Sequence, residues 1–116
     1  MDKEKIEPRL LEEIRRVETA GQPDRKIPVI IEHVRQIGGI GEEGKRIDYK
    51  ALEQRVRGEQ EDIRKRLFEL GVTDDVQQMS LANALEVRLT PAQIKEIAAH
   101  SDVKLIVLNR EEQVTA

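Results

Sequence analysis

The segment Gly39-Ile40-Gly41-Glu42-Glu43-Gly44-Lys45-Arg46 has the spacing of two phosphate-binding devices at once, the dinucleotide turn G-x-G-x-x-G and the phosphate loop G-x-x-x-x-G-K. Both devices need a helix that starts at the glycines, so that its free N–H groups meet the phosphate. Here Arg46 stands where Ser or Thr should hold magnesium, Glu42 and Glu43 repel phosphate, and the next helix waits for Asp48. The segment reads as an insertion without nucleotide chemistry. Nucleophilic catalysis needs a base held beside Ser or Cys. The chain has no cysteine, His33 falls in a strand-like run, and the sequence neighbours His100-Ser101-Asp102 point in different directions. His33 therefore reads as a partly buried structural residue. No spaced ligand set suggests a metal, and no cofactor is expected. What remains is the pair Glu111-Glu112 and the tail Gln113-Val114-Thr115-Ala116, placed just after the apolar run Val103-Lys104-Leu105-Ile106-Val107-Leu108.

The totals narrow the classes further. A chain of 116 residues suits one domain. Charged residues make up 37% and aromatics 2%, so aliphatic side chains must build the core. A formal charge of −3 gives no attraction to nucleic acid or an anionic membrane. Tyr49 and Phe68 map to a helix start and a helix end, not to the central strands where RNA-stacking rings belong. Without cysteine there are no disulfides. MDKEK offers no apolar signal core and no run approaches membrane length, so a cytoplasmic product is expected, extracellular only if a leader has been removed.

Periodicity places the elements. Pro8 opens a helix whose Ile6, Leu10, Leu11, Ile14 and Val17 share a face, with Gly21 at its end. Residues 27–34, IPVIIEHV, form a first strand. Leu52, Val56, Ile63, Leu67 and Leu70 are one stripe of a long helix running from an Asp48 cap to Gly71, weakened at Gly58 by about 1 kcal/mol. Alternation from Gln78 to Leu89 predicts two short strands joined by a three-residue loop, Ala82-Asn83-Ala84, that sets Leu81 opposite Leu85. Thr90-Pro91-Ala92-Gln93 is a capping box, Ile94, Ile97 and Ala98 are the buried side of its helix, and residues 103–109 are the last strand.

The order predicts an α+β domain of ferredoxin-like βαββαβ type, an antiparallel sheet with two helices on one face, over residues 27–116. Residues 1–26 are an N-terminal helical extension. Each strand should then hide one parity and show the other. On that rule Ile30, Glu32, Gln78, Ser80, Glu86, Arg88, Ile106 and Leu108 form the open sheet face. Its aliphatic members leave a sticky patch that either the N-terminal helix or a partner must cover.

IPVIIEHV, the long helix ending Glu-Leu-Gly, and residues 76–116 with TPAQ, VKLIVL and the acidic pair together resemble the propeptides of subtilisin-type serine proteases and the stand-alone inhibitors of that fold. Residues 1–26 and the glycine-rich loop are not part of the resemblance. It implies that the chain is not an enzyme and that its partner is a subtilisin-like serine protease. The open sheet face would dock on that protease, and Glu111 and Glu112 would cap the amino ends of its surface helices. Gln113, Val114, Thr115 and Ala116 would fill its substrate cleft. Family members also assist folding of their protease. The free chain is expected to be a monomer. The competing classes are a ferredoxin-like regulatory or assembly module that dimerises through the open face, and a small-molecule sensing domain, for which the sequence locates no pocket.

Overall fold

The computed structural model describes residues 2–35, 49–73, 76–80 and 82–110. The architecture is α+β: a four-stranded antiparallel sheet and four α-helices. After a 3₁₀ turn at Asp2–Lys5 come α1 (Pro8–Thr19), β1 (Ile27–His33), α2 (Tyr49–Glu59), α3 (Glu61–Glu69), β2 (Gln77–Met79), β3 (Ala84–Leu89), α4 (Pro91–Ala98) and β4 (Val103–Leu108). The strand order is β2-β3-β1-β4. Among the described residues no helix is long and apolar enough to cross a membrane.

Local chemistry accounts for most of these boundaries. Thr90 Oγ1 accepts from the Gln93 N–H at 3.3 Å and Gln93 Oε1 accepts from the Thr90 N–H at 2.9 Å, so the expected capping box starts α4. Pro8 opens α1 without needing a donor. Gly21 and Gly71 adopt φ of 72° and 85° just beyond α1 and α3, a left-handed geometry that spares glycine the Cβ clash.

The long helix is the first difference from expectation. It is two helices, parted at Gln60. Gln60 is fully buried, and its amide donates to Asn83 Oδ1 at 3.0 Å and to the Ala84 carbonyl at 3.1 Å. Gly58, two residues earlier, already lowers helix stability there. The break thus lies where the backbone is weakest and a tertiary polar contact is available. The expected stripe survives it: Leu52, Val56, Ile63 and Leu67 are buried and Leu70 packs on the core.

The helices share one side of the sheet. Leu10, Ile14 and Val17 of α1, Ile63 and Leu67 of α3, and Ile94, Ile97 and Ala98 of α4 join one core cluster with Ile27, Val29, Ile31, Leu85, Val87, Leu89 and Ile106. Gln78 ties α2 to the same side by donating to the Glu53 carbonyl at 2.9 Å. The N-terminal helix therefore lies beside α4, where Lys95 pairs with Glu18 at 2.8 Å, and is not folded over the reverse of the sheet. Its core is the core of the rest of the chain.

Two registers differ from the parity rule, and each changes which side chains face out. The hairpin turn spans residues 80–83, with Met79 opposite Ala84 and Gln78 opposite Leu85. A four-residue connection replaces the expected three: Asn83 takes φ 45°, and its buried side chain is held by Gln60 and the Arg35 carbonyl. Gln78 consequently faces the helices, Gln77 and Met79 take the open side, and Ser80 belongs to the turn. Leu81 lies outside the described residues. In β4, Ile106 pairs with Ile31 and Leu105 with Glu32, but Val103 pairs with His33, leaving Lys104 as an extra residue. Such a bulge reverses parity along a strand. Val103 and Ile106 both point into the core at 0% exposure, and Leu108 packs on it. Ile106 and Leu108, expected on the open face, thus belong to the covered one, and Leu105 and Val107 replace them.

Candidate docking face

Cross-strand partners share a face, so the open side can be read row by row. One row runs Leu105, Glu32, Ala84, Met79; the next runs Val107, Ile30, Glu86, Gln77; Pro28 and Arg88 form a third. Of the residues expected here, Ile30, Glu32, Glu86 and Arg88 are in place. Ile30, Leu105, Val107 and Met79 each retain solvent contact, while the covered neighbours Val29 and Ile31 are 0% and 1% exposed. The face is thus an aliphatic strip from β4 across β1 to β2, with Glu32 and Glu86 set into it.

Both ends of β4 are fixed. Its outer edge is met by the segment before α1: Ile6 forms a parallel bridge with Ile106, the Glu7 N–H donates to the Ile106 carbonyl at 3.0 Å, and Glu7 Oε1 accepts from the Leu108 N–H at 2.9 Å. This covers an edge that could otherwise template aggregation. At the exit, the Asn109 N–H donates to the Pro28 carbonyl at 3.0 Å and its side-chain amide donates to Glu86 Oε1 at 2.7 Å. The chain therefore leaves the sheet from an anchored position, and at Arg110 the backbone has already left the extended conformation of β4. The predicted capping acids Glu111 and Glu112 and the tail Gln113 to Ala116 lie outside the described residues.

A second polar constellation sits at the His33 end of β1. His33 is 2% exposed. Its Nδ1 accepts from the Arg35 N–H at 2.9 Å, which leaves the proton on Nε2 to donate to the Glu59 carbonyl at 3.0 Å. Asn83 continues the network by donating to the Arg35 carbonyl at 2.6 Å, while its own carbonyl accepts from the His33 N–H at 3.0 Å. With both ring nitrogens engaged, His33 has no lone pair for a substrate, although Asp102 Oδ2 lies 4.0 Å from Nε2 on the wall of a cavity of about 420 Å³. His100 Nδ1 likewise accepts from the Asp102 N–H at 3.0 Å. Among the described residues no three His, Cys, Asp or Glu side chains are grouped to hold a metal. The network does architectural work, joining β1, the helix break and the hairpin turn. Gln60 escaped the sequence reading because nothing in its neighbours marks an outward-looking glutamine from one drawn inward.

No family model, curated protein or solved structure compared with the chain matches it.

Proposed function

We propose that the chain is a ferredoxin-like inhibitor of a subtilisin-like serine protease, acting by occupancy and not by catalysis. The fold reading is supported by the order β4-β1-β3-β2 with every pairing antiparallel. The functional reading is carried by one observation. Every described helix, including the N-terminal one, packs on the same side of the sheet, so the aliphatic strip Leu105, Val107, Ile30, Met79 has no described cover. Fully burying such a side chain stabilises by about 1.5–3 kcal/mol, and a partner gains the part that is still wet.

In this reading the protease presents two helices to the strip. Glu111 and Glu112 follow the anchored Asn109 closely enough to meet the free N–H groups and positive dipole at those helix ends. The tail Gln113 to Ala116 then runs into the substrate cleft as an added strand.

The test is inhibition of a panel of subtilisin-type proteases by the purified chain. Inhibition is expected to disappear when residues 111–116 are deleted, and to weaken at least about tenfold in L105T/V107T, which removes apolar contact from the open face. Full protease activity at micromolar chain would refute the reading. A tight dimer in sedimentation that L105T/V107T dissolves assigns the face to self-association instead.

A further inference from the structure

On the edge of the sheet away from β4, a cavity of about 390 Å³ opens between α2, α3 and β2. Arg57, Arg64, Gln77, Gln78 and Ser80 line it, with Glu53 on the same wall. The other described cations near acids find them: Arg16 pairs with Glu13, Arg35 with Glu59, Arg66 with Glu69 and Glu96, and Lys95 with Glu18. Arg57 and Arg64 enter none of the ion pairs among the described residues, in a chain with 23 acids to 20 Lys and Arg. Arg64 Nε is moreover buried with no hydrogen-bond partner. Burial first, and then the neighbouring charge of Arg57, hold the Arg64 guanidinium below its ordinary range. Two like charges in one cavity cost stability, and an anion between the two guanidinium groups removes that cost.

The rest of the wall fits that role. Ser80 Oγ accepts from the Gln78 amide at 3.0 Å, so its own proton is left to donate into the cavity. The second Gln78 hydrogen is taken by the Glu53 carbonyl at 2.9 Å, which holds that arrangement rigid. We propose that this groove binds a small phosphate-bearing molecule, its phosphate between Arg57 and Arg64 with the Ser80 hydroxyl as a further donor. The volume falls in the range of small-molecule sites, about 300–1,000 Å³, and exceeds what a bare anion fills. Glu53 disfavours a second anionic group and suits an organic body that carries hydroxyl donors.

The experiment is isothermal titration calorimetry of the full chain with glucose 6-phosphate and with inorganic phosphate, against potassium chloride at matched ionic strength. Saturable binding of glucose 6-phosphate at one site is expected, weakened at least about tenfold in R57Q and again in R64Q, as for loss of a charge-assisted hydrogen bond. L105T/V107T, on the other face, is expected to bind unchanged. Arg57 is exposed, so R57Q keeps the fold and its thermal melt verifies this. The proposal is overturned by the absence of saturable heat with both phosphates, or by binding undiminished in R57Q.

Discussion

The two faces of the sheet are built from the same strands and nearly the same residue types, yet they end in opposite conditions. Along β1, Val29 and Ile31 are 0% and 1% exposed, while Ile30 and Glu32 between and beside them keep contact with solvent. Side-chain hydrophobicity does not separate Ile30 from Ile31. What separates them is that all the described helices arrive from one side. A strand with β-branched residues at both parities carries apolar surface for two layers, and the described residues supply one of them. The second face is therefore the place where another molecule has most to gain.

The largest loss should come from the covered face. Leu85→Ala, at a side chain 1% exposed in the middle of the core cluster, is expected to cost about 2–5 kcal/mol in urea unfolding. A sharper test uses neighbours in β4. Ile106→Thr places a hydroxyl where no water reaches and is expected to cost about 2–3 kcal/mol, whereas Val107→Thr, one residue on, should stay within about 0.5 kcal/mol of the parent. Reversed costs for this pair would place the bulge elsewhere and restore simple alternation in β4.

Next in size is the turn. Asn83→Ala loses the hydrogen bonds to Gln60 and Arg35 and leaves a β-carbon at φ 45°, for about 2 kcal/mol, and Asn83→Gly should cost less because glycine accepts that φ. Equal melting temperatures for the two variants would show that backbone strain contributes nothing. The smallest covered-face effect is expected at Thr90→Ala, about 1 kcal/mol for the lost cap of α4, read from the same unfolding curves.

Local chemistry was readable in advance wherever a short segment held all the information. Pro8, Gly21, Gly71 and the Thr90–Gln93 box mark helix ends because each acts on backbone groups within a few residues. The stripe from Leu52 to Leu67 and the runs of β1 and β3 mark buried faces because burial follows the period of the element. Half of the open face was legible for the same reason: Ile30, Glu32, Glu86 and Arg88 sit on strands where alternation is unbroken.

The remainder depended on contacts between distant segments. One extra residue at Lys104 and one in the hairpin turn exchanged Ile106, Leu108 and Gln78 for Leu105, Val107 and Gln77, and alternation cannot reveal a slip that only the neighbouring strand defines. The break at Gln60 exists because Asn83 and Ala84, more than twenty residues away, offer acceptors. The side of the sheet that α1 occupies followed from its packing with α4, since an amphipathic stripe states that a helix must be buried and not against what. Sequence by itself thus determined which elements form and which residues are apolar enough to hide. Tertiary structure decided which of two equally apolar parities hides, because that choice belongs to register and layer packing, not to any residue alone.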